Sequence, residues 1–161
     1  MLDHLPGARA GLDTSVRAAR SAARVHPRAA AATWDVFRPF PLADGVADVV
    51  LDVFAPRNPA EFHRVLRRGG RLVVARPTAR HLAQLPGVVG VDPAKENRLS
   101  RVLAGRFTPV TTEDVTYSLS LSREDASNLA SMTPNARHGV PPGVTACEVT
   151  VSVLVTAYQA R

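Results

Sequence analysis

Val46-Ala-Asp-Val-Val-Leu-Asp-Val-Phe54 runs into Ala55-Pro56, then an amphipathic stretch from Pro59 to Leu66, Gly69-Gly70, and Arg71-Leu-Val-Val-Ala75. The first run is almost continuously apolar, the pattern of a strand covered on both faces. Pro59 suits the first turn of a helix, and Phe62, Val65 and Leu66 give that helix its inward face. Gly69-Gly70 ends it, and the second apolar run is the next strand. Two parallel strands need a crossover between them, so strand, helix, glycine turn, strand predicts a parallel α/β unit.

Upstream the same alternation holds. Ala8–Asp13 reads as a short strand, and Thr14 or Ser15 can cap a helix to Val25 with Val16, Ala19, Ala22 and Ala23 facing inward. Pro27 stops that helix, and Ala29–Thr33 is a small-residue strand. Trp34–Gly45, with Pro39, Pro41 and Asp44-Gly45, is loop. Downstream, Thr78–Leu85 and Pro93–Leu103 are expected helices. Val110–Leu121 alternates, with Val115, Tyr117, Leu119 and Leu121 on one face, and predicts a strand. Ser122 is placed to cap a helix over Arg123–Ser131 whose first turn carries Glu124 and Asp125. Cys147–Tyr158 alternates again, so the chain is expected to close with an antiparallel pair of long strands.

The chain has 161 residues, 45% of them hydrophobic, enough for one domain with a core rather than a disordered tail. No apolar run approaches the roughly 20 residues that span a bilayer. The longest, Val46–Ala55, is interrupted by Asp48 and Asp52. The single cysteine, Cys147, excludes an internal disulfide and a multi-thiolate zinc site within these residues. No secretion signal is apparent, and a cytoplasmic protein is expected. The net charge is +6, and 19 of the 20 cationic residues are arginine. Codon bias in a GC-rich genome accounts for that as well as a polyanionic partner does.

These elements, in this order, resemble a class I S-adenosylmethionine-dependent methyltransferase (a Rossmann-like α/β fold) entered after its first strand. The detail is similar to the 23S rRNA (guanine-N1)-methyltransferases, which include macrolide (tylosin-type) resistance enzymes. Gly11-Leu12-Asp13, Phe40-Pro-Leu-Ala-Asp44, Ala47-Asp-Val-Val50 and Val53-Phe-Ala-Pro56 carry the likeness, with Glu61–Leu66, Gly69-Gly70, Pro77, Arg80-His-Leu82 and Met132-Thr-Pro134. The likeness runs from about residue 8 to about residue 138. It implies a mostly parallel sheet without its first strand and with an antiparallel C-terminal pair. Residues 8–76 would form the cofactor side of one partial domain over residues 1–161, and residues 77–161 the substrate side. The family's zinc module and Gly-rich turn have no counterpart here, so an N-terminally truncated chain is expected. The missing strand would lie between those ending at Asp13 and Phe54, so weak S-adenosylmethionine binding and low stability are expected of this chain alone.

The resemblance also distributes roles. Asp13, followed by Thr14, would accept hydrogen bonds from the cofactor's ribose hydroxyls, although an aspartate before Thr-Ser also reads as a helix cap. Asp35 would accept from the adenine amino group beside Trp34, and Val53 and Phe54 would border the methyl-bearing end. Ala55, Pro56, Arg80, His81, Met132, Thr133 and Arg137 would line the guanine and RNA side, with Phe54 offering a stacking face. Asp52, a charge inside an apolar strand, receives no role as a base, and His63 and Arg64 read as a solvated helix face. No catalytic residue and no metal ligand is assigned. The expected function is methyl transfer to ribosomal RNA, with 23S RNA as partner and no membrane. The alternatives are a small-molecule methyltransferase of the same fold, against which the basic charge and Met-Thr-Pro weigh, and a non-catalytic RNA- or protein-binding remnant. The sequence does not address the oligomeric state.

Overall fold

The computed structural model describes residues 7–85, 101–132 and 143–161. Its elements are β1 (Arg9–Asp13), α1 (Val16–Arg24), β2 (Ala29–Thr33), β3 (Ala47–Val53), α2 (Pro59–Val65), β4 (Leu66–Pro77), β5 (Phe107–Leu121), α3 (Arg123–Met132) and β6 (Cys147–Ala160). Residues 101–104 are also helical. The strands form two sheets, a parallel pair β1-β2 and a mixed sheet of order β3-β4-β6-β5. β3 and β4 are parallel, while β6 runs antiparallel to both β4 and β5. This is the expected α/β architecture with its closing antiparallel pair. β1 and β3 do not pair with each other, and each ends its own sheet.

Local chemistry accounts for the elements. Ser15 caps α1, its hydroxyl accepting from the Ala18 N–H at 3.3 Å. The inward face of α1 is Ala18, Ala19 and Ala22; Val16 and Ala23 are exposed, contrary to the expected stripe. The helix is short and lies over strands of small residues, so only the alanines nearest Gly11 and Ala31 are covered. Asn58 caps α2 with Pro59 in its first turn, Glu61 near its N-terminus and His63 and Arg64 near its C-terminus, all favourable to the helix dipole. The Ser122 hydroxyl accepts from the Asp125 N–H at 3.1 Å and caps α3 as expected.

Two apolar clusters hold the mixed sheet. Phe62 and Leu66 pack with Leu72, Val74, Leu103, Phe107 and Tyr158 on the α2 side. Leu82, Leu85, Ala126, Ala130, Val144 and Val149 form the second, on the face that alternation along β6 sets opposite. Cys147 packs, partly buried, against the second cluster.

Two further expectations about the elements need correction. Thr78–Leu85 is a series of turns, not a helix, because Leu82 is left-handed (φ 55°) and the Thr78 and Leu82 N–H groups donate to Ser152 and Thr150 of β6. The glycine pair does not separate helix from strand. β4 already starts at Leu66, and its register against β3 slips between Ala47↔Leu66 and Val49↔Arg71, with Gly69 at φ 80° inside the irregularity. The strand expected over Val110–Leu121 is present as β5; its apolar face is exposed at Val115, Tyr117 and Leu119, because β5 is an edge strand that α3 meets only near its end. Of the expected helix Pro93–Leu103, residues 93–100 lie outside the described residues.

Candidate functional site

β1 and β2 run in parallel, as do β3 and β4, and open α/β sheets bind ligands beyond the carboxyl ends of such strands. Asp13 is the last residue of β1, and Trp34-Asp35 follows β2. The Trp34 N–H donates to the Asp13 carbonyl at 2.9 Å, which joins the two strand ends. One residue beyond Asp35, the Val36 carbonyl accepts from Asn58 Nδ2 at 2.9 Å. Asn58 follows the Val53-Phe54-Ala55-Pro56 corner at the end of β3, and the Phe54 ring meets that of His81 at 5.4 Å, tilted by 50°. A linked rim therefore runs from Asp13 through Trp34, Val36 and Asn58 to Phe54 and His81. Asn58 was not among the expected site residues; its only sequence signal is its place before Pro59, which marks a helix cap.

The side chains on this rim are disposed as follows. Asp13 and Thr14 are exposed, and Asp13 Oδ1 accepts from the Ser15 N–H at 2.7 Å. A carboxylate has about four acceptor positions, so this cap-like bond leaves capacity for a diol. Asp35 is exposed, with Oδ1 accepting from the Phe37 N–H at 2.9 Å, and Trp34 Nε1 donates to the Pro39 carbonyl at 3.1 Å. Val53, Phe54, Ala55 and Pro56 are exposed; Phe54 has left-handed backbone (φ 54°), and its N–H donates to the Ala75 carbonyl at 3.1 Å. A bulky residue held there costs about 1–3 kcal/mol and is maintained by its surroundings.

Beneath the corner, Asp52 is 3% exposed. Its Oδ1 accepts from the Ala55 N–H at 3.3 Å, and its Oδ2 approaches Arg57 Nε to 3.1 Å without hydrogen-bond alignment. Burial pushes its pKa up to about 6, against the opposing pull of Arg57 and the Ala55 N–H.

His81 is half-buried, and its Nδ1 accepts from the Ser152 N–H at 3.2 Å, which places the neutral ring's proton on Nε2. Burial lowers its pKa, so the ring is neutral at pH 7. A hydroxyl chain on β5 and β6 fixes this turn. Thr78 Oγ1 donates to the fully buried Ser152 Oγ at 2.7 Å, and Ser152 Oγ lies 3.1 Å from Thr116 Oγ1. Arg80 is exposed and stands 3.6 Å from Asp114, a contact of little energetic weight in water. Sequence reading missed Thr78, Ser152 and Thr116, because isolated hydroxyls in alternating strands look like solvent-facing positions. Met132 ends α3, and Thr133 and Arg137 lie outside the described residues.

His63 and Arg64 are not a solvated face. The His63 ring packs edge-on against Phe107 at 5.9 Å, since α2 lies over β5 there. Arg64 donates to the Phe40 and Leu42 carbonyls and to Glu61 and Asp44, which pins the loop between β2 and β3 to α2. The Arg64 hydrogen bond is the main reason that the Glu61 pKa is lowered. A cleft of about 750 Å³ lined by His63, Arg67, Arg68, Gly69 and Gln159 sits at the opposite end of the strands, away from the rim. Among the described residues no group of three or more metal-ligating side chains occurs, and no helix is long and apolar enough to cross a membrane.

No protein-family model matches the chain. It is 43% identical over 160 residues to a Micromonospora griseorubida protein named as a 23S rRNA (guanine-N1-)-methyltransferase, covering 97% of this chain and 54% of that protein. It is 42% identical over 158 residues to the 23S rRNA (guanine(748)-N(1))-methyltransferase of Streptomyces fradiae, covering 90% of this chain and 56% of that protein. The chain thus spans about half the length of these curated relatives. A solved geranyl diphosphate methyltransferase in complex with SAM superposes with a TM-score of 0.58 at 12% identity, covering 99% of this chain and 71% of that chain. That likeness shows the fold, which is the class I methyltransferase fold.

Proposed function

We propose that this chain, a sequence relative of the 23S rRNA (guanine-N1)-methyltransferases along nearly all its length, is a partial S-adenosylmethionine-dependent methyltransferase domain acting on guanine N1 of 23S rRNA. The identity of 43% over 160 residues, 97% of this chain, carries this reading. The exposed Asp13 carboxylate at a parallel strand end, with spare acceptor capacity, fits a ribose diol. Asp13 and Thr14 would hold the ribose of S-adenosylmethionine, Trp34 and Asp35 its adenine, and Val53 and Phe54 would border its sulfonium end. The cofactor, when bound, supplies an electrophilic methyl group. The chain's own task is to orient the acceptor in line with that group, and positioning of this kind is a large part of such catalysis.

On the substrate side, Phe54 offers its exposed ring to an extruded purine, with Ala55 and Pro56 completing the corner. Arg80, exposed and loosely paired with Asp114, would meet an RNA phosphate, and neutral His81 braces the Phe54 ring. By the resemblance, Met132, Thr133 and Arg137 would belong to the substrate side. Residues 8–76 then form the cofactor side and residues 77–161 the RNA side. The partner is 23S RNA, and the site of action is the cytoplasm. Incubation with methyl-labelled S-adenosylmethionine and 23S rRNA, read by primer-extension arrest at N1-methylguanine, tests this. Arrest at one guanine is expected. Label in small acceptors and none in RNA would favour a small-molecule enzyme of the same fold, and label in neither would favour a binding remnant.

A further inference from the structure

The 53–57 corner raises a question that its place in the site does not answer: what keeps Phe54 in left-handed backbone with its ring on His81? Two bonds bracket the residue. On one side the Phe54 N–H is tied to Ala75 of β4, at 3.1 Å. On the other, the Ala55 N–H and the Arg57 guanidinium both converge on the carboxyl of Asp52, at 3.3 Å and 3.1 Å. Asp52 lies on the face of β3 that Val50 shares, and its neighbour across the ladder is the fully buried Val74. A hydrocarbon would pack there without desolvating a charge. The carboxyl group is also incompletely satisfied, since neither Oδ2 nor Arg57 Nε has an aligned hydrogen bond. A group that costs stability yet gathers both arms of a strained corner is placed for geometry rather than for cohesion.

We propose that Asp52 is a positioning residue: its buried carboxylate holds the Ala55 N–H and Arg57 together, and thereby fixes the left-handed Phe54 whose ring leans against that of His81. Its bearing on catalysis rests on the reading of Phe54 as the face that receives the acceptor base. Arg57 is the second half of the device, since its side chain is the 19% exposed arm that closes the corner over Asp52.

The test is carried out on the 161-residue chain at pH 7.5, where Asp52 is ionised and His81 neutral, by NMR with labelled phenylalanine and histidine. In the parent chain a nuclear Overhauser contact joins the Phe54 and His81 rings. In Asp52→Asn that contact is lost and the His81 ring signals move, while the Phe40–Phe62 contact, whose rings lie 5.9 Å apart, persists and the melting temperature does not fall. Arg57→Gln, at a partly exposed position, weakens the same contact and decides the matter if Asp52→Asn fails to fold. An intact Phe54–His81 contact in whichever variant folds overturns the proposal. So does its loss together with the Phe40–Phe62 contact, which would mark a general structural role. In the methylation assay, Asp52→Asn lowers kcat at least tenfold. A parent chain that shows the NMR pattern but methylates no RNA retains the positioning role and overturns the functional reading instead.

Discussion

Asp52 and Asp13 show how differently one residue type behaves at two strand ends. Asp52 has an ordinary pKa of 3.8 and a folded value of about 6. The folded chain therefore keeps a proton that the unfolded chain releases between those two pH values, and stability from this group falls as pH rises through that window. Asp52→Asn is close to isosteric and removes the titration. The difference in unfolding free energy between variant and parent is expected to be small near pH 4 and to grow in the variant's favour, to about 3 kcal/mol above pH 6. Urea unfolding at stepped pH measures it. His81 works in the opposite sense, since its lowered pKa withdraws stability as pH falls below 6.5; comparing variant with parent cancels that contribution. Asp13 is exposed, and its proposed part is in ligand binding. Asp13→Ala is expected to weaken S-adenosylmethionine binding about tenfold or more, the order of one or two hydrogen bonds to a charged group, with little change in melting temperature. Both acids were visible in the sequence. Only coordinates separate them, because burial depends on α2 and β4 arriving over one carboxyl and not the other.

The glycine pair within the irregular start of β4 can be probed by mutation. A Cβ at Gly70 would meet the Arg67 carbonyl and Leu66 Cδ2 at 2.9 Å and the Asp48 carbonyl at 3.1 Å. Two of those neighbours are backbone of the irregular β3–β4 pairing and cannot swing aside. Gly70→Ala is therefore expected to destabilise by about 1–3 kcal/mol, read by thermal unfolding. At Gly69 nothing crowds a Cβ, and Gly69→Ala costs only the left-handed conformation, about 1 kcal/mol. The apolar runs at Val46–Phe54 and Arg71–Ala75 located β3 and β4, and the alternation in Cys147–Tyr158 located β6, because strand burial writes itself into residue order. Thr78–Leu85 misled, because its turns depend on hydrogen bonds to Thr150 and Ser152, some 70 residues away, which no local pattern records.

The two sheets meet along the rim through backbone and side-chain bonds at Trp34, Val36 and Asn58, not through strand pairing. Among the described residues β1 and β3 each present an unpaired edge, and such edges expose donors and acceptors that a neighbouring strand would satisfy. The 161-residue chain by itself is therefore expected to bind S-adenosylmethionine weakly, at no better than millimolar to high micromolar strength. Weak binding still reports location. A titration of the ¹⁵N-labelled chain with S-adenosylhomocysteine, followed by amide shift changes, asks whether the end of β1 and the Phe54 corner face one ligand. The account predicts that shifts gather at Asp13 and Thr14, Trp34 and Asp35, and Val53 to Ala55 together, with one common dissociation constant. Shifts at only one of these places, or gathered instead at the His63, Arg67 and Arg68 cleft, would contradict it.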